Sequence, residues 1–160
     1  MGMDIYGKNP TTEEGEYFVN NVWRWHPLAD YVAAVAPDIA ARCEYWHSND
    51  GHGLDAEDSL ALADRLQAEI DAGRTARYER LYRSRQEAAP KVPCWLCEGT
   101  GTRRPYPLAG AGDPKNGGIR CNGCRGDGVV DDWITFHPFS VENLRRFVAF
   151  LRGSGGFEVW

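Results

Sequence analysis

An α+β fold is what this chain predicts, and three observations predict it. Alternating apolar residues sit at both extremes of the sequence. Between them run segments with apolar residues at helical spacing. One stretch, 94–124, turns abruptly to Gly, Pro and Arg around four of the five cysteines. Strands at the two ends, separated by helices, are most easily buried in one small sheet with the helices on a face.

Taken in order, the opening segment alternates with Met3 and Ile5, and Tyr17 and Val19 with them, expected to face one way, so residues 3–6 and 16–20 read as short strands around a turn at 7–15. Pro27 suits the first turn of a helix carrying Leu28, Tyr31, Val32 and Val35, and Pro37 interrupts it before a shorter helix over 40–45. The run His47-Ser-Asn-Asp-Gly-His-Gly-Leu is rich in turn formers. Asp55 then caps an amphipathic helix in which Leu62, Leu66 and Ile70 recur every four residues, ended by Gly73.

A second helix over 75–88 places Tyr78, Leu81 and Tyr82 on one side and Arg77, Arg80 and Arg83 on the other, until Pro90 and Pro93 stop it. Residues 74–91 hold six basic and two acidic side chains. Beyond Val129 and Val130 the globular pattern resumes. Ser140 caps a helix with Leu144, Phe147, Val148 and Leu151 on one face, Gly153 closes it, and the ending Gly-Gly-Phe-Glu-Val-Trp reads as a strand. The organisation is a core from 1–92 plus 129–160, with an insert at 93–128.

At 160 residues, 42% of them hydrophobic and six of them Trp, the chain can bury one core but is short for two independent ones. A net charge of −5 and a pI near 5.4 mean that the molecule as a whole does not attract nucleic acid or an anionic membrane, so any such contact must be local. No apolar run approaches the ~20 residues of a membrane span, and the opening MGMDIYGKNP lacks the features of a secretory signal. The expectation is a soluble cytoplasmic protein.

Cys94-Trp-Leu-Cys97-Glu-Gly99-Thr-Gly101 and Cys121-Asn-Gly-Cys124-Arg-Gly126-Asp-Gly128 are one pattern written twice, Cys-x-x-Cys-x-Gly-x-Gly. Two residues between cysteines let both thiolates of a tight turn reach one ion, and two such turns complete a four-sulfur tetrahedron. The glycines allow positive φ, so backbone N–H groups can turn back toward sulfur. Paired disulfides, a redox pair and a rubredoxin-type iron centre are the alternatives. One structural Zn2+ on Cys94, Cys97, Cys121 and Cys124 is favoured, because two matched pairs fit structural zinc and a redox pair needs no partner pair. The metal would stabilise a β-hairpin insert that cannot build an apolar core of its own.

The repeated motif resembles the cysteine-rich zinc region of DnaJ-type chaperones, over residues 94–128. That family strings four motifs together for two zinc ions, whereas two motifs suffice for one. No J-domain pattern or His-Pro-Asp triplet accompanies it, so the resemblance implies no Hsp70 co-chaperone activity. The opening ten residues, the Asn-Asn-Val-Trp stretch and Phe139-Ser-Val-Glu-Asn with the Gly-Gly-Phe ending are similar to small uncharacterised bacterial and phage proteins, which implies an accessory or viral factor acting by binding.

Other candidates are weaker. His47, Asp50 and His52 lie within one turn, and His26 is placed to approach from the preceding helix, which suggests a second metal or an acid/base site. Asn49-Asp50-Gly51 also suits a simple turn, the reading we favour. Trp23, Trp25 and His26 offer an aromatic binding cleft or ordinary packing. Cys43 reads as a buried thiol. The 23-residue loop between the cysteine pairs carries Arg103, Arg104, Lys115 and Arg120, with Arg125 following. These cations offset a four-thiolate site or touch phosphates.

The leading functional expectation is a non-enzymatic, zinc-stabilised interaction protein that binds a protein partner. A nucleic-acid-binding accessory protein using the basic helix at 74–91 and the insert arginines is second, and an enzyme with a site at the His47–His52 turn is third. No nucleophile elbow, phosphate loop, metalloprotease helix or dinucleotide fingerprint is present in the sequence.

Overall fold

The computed structural model describes residues 2–103 and 118–160. They divide into two compact units, Met1–Arg85 with His137–Trp160, and Gln86–Phe136.

The first unit is an α+β layer. Strands β1 (Gly2–Gly7), β2 (Tyr17–Asn21), β3 (His52–Leu54) and β8 (Phe157–Val159) form one antiparallel sheet in the order β2-β1-β8-β3. The two ends of the chain are therefore neighbours: Ile5 pairs with Val159, and Asp4 and Trp160 exchange both backbone hydrogen bonds. Alternation aims Met3, Ile5, Phe18, Phe157 and Val159 at the core, whereas Tyr17 and Val19, expected to face with Met3 and Ile5, are the exposed positions of β2. Helix α5 (Val141–Ser154) supplies the other wall. Its Phe147 lies 5.2 Å from Phe18, 5.7 Å from Trp25 and 6.1 Å from Phe157 between ring centroids.

Strand β3 falls where only a turn was expected. Gly53 makes it: a Cβ there would stand 1.8 Å from the Phe157 carbonyl oxygen, so only glycine lets β3 close on β8.

Helix α1 spans Val22–Val35 and starts five residues before the expected Pro27. The cap is Asn21, whose side chain accepts the Arg24 N–H at 2.9 Å, and Pro27 lies inside the helix. The helix expected over 40–45 is instead one turn, α2 (Pro37–Ala40), followed by turns that seat Trp46 against the core. Asp55 caps α3 (Ala56–Asp71) as predicted, accepting from Asp58 N–H at 2.8 Å.

After Gly73, at φ +70°, the chain enters α4 (Arg74–Glu87). Its inner face is Thr75, Tyr78 and Tyr82, set against Tyr31 and Phe139; Leu81, expected beside the tyrosines, is 56% exposed. Ser140 caps α5 as expected, but Gly153 does not close it. The helix runs on to Ser154 and Gly155, at φ +60°, is the left-handed cap. Gly153 instead permits a close backbone approach to Gly15, where a Cβ would stand 2.1 Å from the Gly153 carbonyl carbon.

The second unit contains two short antiparallel ladders. Strand β4 (Val92–Pro93) pairs with β7 (Val129–Val130), and β5 (Thr102–Arg103) pairs with β6 (Ile119–Arg120). No helix among the described residues is long and apolar enough to cross a membrane.

Candidate metal centre

Among its described residues the second unit has almost no apolar interior. Its buried cluster is Cys94, Cys97, Cys121 and Cys124, with only Leu96 and Val130 packed against it. The four sulfurs lie within 4.8 Å of one another, the one such group among the described residues.

The two motifs are built alike, turn for turn. Gly99 N–H donates to the Cys94 carbonyl and Gly126 N–H to that of Cys121; Thr100 and Asp127 repeat the relation with Cys97 and Cys124. Gly101 N–H donates to Cys97 Sγ at 3.3 Å, and Gly128 N–H to Cys124 Sγ at 3.2 Å. Each motif also caps the other: Cys94 N–H donates to the Gly128 carbonyl at 2.8 Å, and Cys121 N–H to that of Gly101 at 2.9 Å. The turns need left-handed backbone at matching places, Glu98 and Arg125 at φ 52° and 54°, Gly99 and Gly126 at 84° and 91°, Gly101 and Gly128 at 73° and 76°.

The sulfur spacing tests what fits inside. Cys94 Sγ lies 3.9 Å from Cys121 Sγ, and Cys97 Sγ lies 3.7 Å from Cys124 Sγ. A disulfide requires about 2.05 Å. A tetrahedral ion with metal–sulfur bonds of about 2.3 Å spaces its sulfurs about 3.8 Å apart. The residues thus fit one four-coordinate metal ion, and N–H groups aimed at two sulfurs favour thiolates. Burial pushes the Cys94 thiol up to about 11. At Cys97 the upward push of burial is overcome by the Gly101 N–H and the neighbouring sulfurs, and its pKa is lowered to about 7.

Gly128 gives a direct test. A side chain there meets the Gly99 carbonyl oxygen at 2.3 Å and must hold φ +76°. Gly128→Ala is expected to weaken metal binding roughly 10- to 100-fold, the scale seen when groups supporting metal ligands are lost. Gly73→Ala, strained by a similar φ but facing open space, should leave metal affinity unchanged. Competition against a chromophoric chelator measures both.

The remaining candidates separate. Trp25 is fully buried in the first unit, donating Nε1–H to the Trp46 carbonyl at 2.5 Å, while Trp23 is half-exposed with its ring 4.9 Å from His137. The two tryptophans do not form one cleft.

His47 and His52 part company. His52 Nδ1 accepts the Glu44 N–H at 3.0 Å and its ring stands edge-on to Tyr45, while Asp50 is exposed. His47 instead meets His26, Nδ1 to Nδ1 at 2.7 Å, and its Nε2 is 3.2 Å from Asp30 Oδ1. The Asp30 carboxylate accepts from Nε2–H of His47, and in the tautomer that carries its one proton there the Nδ1–Nδ1 contact is donated by His26. Neither the Asp30 partner nor the approach of His137, 6.3 Å from His26 between ring centroids, was legible from sequence.

Burial first, then His47 and His137, lower the His26 pKa below its ordinary 6.5, with Asp30 opposing. The unfolded chain therefore takes up this proton first. The contribution of neutral His26 is whole above about pH 6.5 and fades as the pH falls below it. An NMR titration of the His26 ring should give a midpoint below 6.5, moved upward by His47→Ala; no change on that substitution would refute the coupling.

Cys43 is buried, and burial pushes its thiol up to about 11, an inert packing group. Arg103 lies in β5, whereas Arg104 and Lys115 fall outside the described residues.

Comparison with known proteins finds no matching family model, no similar curated protein and no similar solved structure. The likeness to the DnaJ-type zinc region rests on the two copies of the cysteine motif.

Proposed function

We propose that the chain is a non-enzymatic interaction protein of a reducing compartment such as the cytoplasm, with a second unit ordered by one structural zinc ion and a protein as its partner. The observation that carries the reading is the closed sulfur shell: four buried cysteines take all four positions of a tetrahedral ion and leave none for water or substrate. Zinc is the preferred occupant because it accepts four thiolates without redox activity and suits paired Cys-x-x-Cys turns. A metal so enclosed organises backbone, and the surface it organises becomes the functional part.

That surface presents large aromatic groups. Trp95, between two of the ligands, is 81% exposed; Trp133 and Phe136 in the same unit are 60% and 56% exposed. Aromatic side chains carry much of the binding energy of protein interfaces, and Trp foremost. A metal-fixed turn holds Trp95 without the ordering cost of a mobile loop.

Elemental analysis should find one zinc per chain, and iron or no metal would refute the assignment. Cross-linking in the source cell, followed by mass spectrometry, should recover a partner joined near residue 95, and Trp95→Ser should abolish that adduct while zinc content stays at one. An adduct unaffected by Trp95→Ser would place the interface elsewhere.

A further inference from the structure

We infer that the outward face of α4 docks on the phosphate backbone of a nucleic acid. Thr75, Tyr78 and Tyr82 fix one side of this helix to the first unit. At 100° per residue, the opposite arc carries Arg77 and Arg80 near its centre, Ser84 between them and Arg83 at one margin, all exposed.

The bland explanation for such a face is a solvated helix whose charges are offset by acidic neighbours. The acidic residue of α4 on this arc is Glu87, one turn past Arg83 at the end of the helix, and among the described residues no ion pair joins it to these arginines. Among the described residues, ion pairs within 4.0 Å engage Lys8, Arg42, His47, Arg65, Arg74 and Arg152. Arg77, Arg80 and Arg83 are in none of them. Glu79, the acidic residue beside Arg80, turns inward and accepts the Val141 N–H at 3.2 Å. Arg74, at the other margin, is held bidentately by Glu69 and is not counted.

Three guanidinium groups on one helix, unpaired among the described residues, call for a polyanion, and two features specify which. The groups are all arginine, whose planar fork matches phosphate oxygens, and Ser84 adds a hydroxyl donor among them. Arg77 to Arg83 spans about 9 Å of helix axis. A nucleic-acid strand carries one charge per ~3.4 Å of its axis, so about three phosphates fall within that length. A lipid surface fits poorly, since Leu81 is the single large apolar residue on the arc and an interfacial helix needs a broad apolar face. The acidity of the chain as a whole confines the contact to this face.

Fluorescence anisotropy of the full zinc-loaded chain with a labelled mixed-sequence duplex, a labelled single strand and labelled polyglutamate tests the assignment. Expected is binding to nucleic acid at 50 mM salt that weakens about 40-fold at 200 mM on the duplex, as three phosphate contacts require. The triple variant Arg77→Gln/Arg80→Gln/Arg83→Gln should lose it with an unchanged thermal midpoint, because these side chains are exposed and unpaired. A double variant on other exposed arginines, Arg24→Gln/Arg145→Gln, should keep most of it. No binding by the unaltered chain at 50 mM salt, or binding that survives the triple variant, overturns the inference. Polyglutamate bound as tightly as nucleic acid also overturns it, in favour of an acidic protein. None of these outcomes depends on the Trp95 interface.

Discussion

Cys121→Ser, or extraction of the metal by a chelator, should release residues 86–136 from their fold while the sheet and α5 stay protected. The reason is quantitative. Among its described residues the second unit buries four cysteines and packs only Leu96 and Val130 against them, far too little apolar surface to offset the entropy of ordering that backbone at ~1–2 kcal/mol per residue. Structural zinc contributes an apparent 10–16 kcal/mol at neutral pH in small metal-folded domains, so here the ion and the fold of this unit stand or fall together. Removing one thiolate also removes the Cys121 N–H bond to the Gly101 carbonyl from its register. Hydrogen exchange with mass spectrometry should show amides near Gly99–Gly101 and Gly126–Gly128 exchanging within seconds, with those of α5 and β1 unchanged. Simultaneous loss of protection throughout the molecule would mean that the first unit depends on the metal too.

The largest effect expected from one apolar side chain is that of Phe147→Ala. Phe147 is fully buried where the sheet, α1 and α5 meet, with Phe18, Trp25, Phe150 and Phe157 all within 6.1 Å between ring centroids. Truncation to Ala removes that packing and leaves a cavity, at about 3–5 kcal/mol for a core Phe. For a chain of this size the thermal midpoint should fall by roughly 10 °C. Metal content should remain at one ion per chain. A fall of less than 2 °C would show that Trp25 and Phe150 collapse into the space.

What sequence revealed here was whatever chemistry repeats or terminates. The cysteine cluster was legible because the motif occurs twice, and Asp55 and Ser140 because a capping side chain precedes an apolar period. The sheet from the chain ends was legible by alternation, but the buried face of β2 was not, because Phe18 between Tyr17 and Val19 leaves both faces apolar. What stayed hidden depended on distant neighbours. Gly53 looks like a turn residue until Phe157 is seen against it, and Gly153 looks like a helix stop until Gly15 is seen against it. Pro27 suggested a helix start, yet the Asn21 cap began the helix one turn earlier and the core held its interior proline in place. The left-handed Glu98 and Arg125 carry no signal in their own identity. The His26–His47 contact joins α1 to a turn 21 residues away, and no local pattern announces it.

The place of β8 in the sheet has a consequence for how the molecule is made. It lies between β1 and β3 and pairs with both, yet it is synthesised about one hundred residues after β3. A ribosome therefore delivers β1, β2 and β3 long before the strand that joins them, and their open edges must wait. The cysteine segment leaves the tunnel earlier, and on the function proposed above it closes on its ion without waiting for the sheet. Birth order thus runs opposite to chain nesting: the inserted unit can mature first, and the sheet whose halves flank it is sealed last, within three residues.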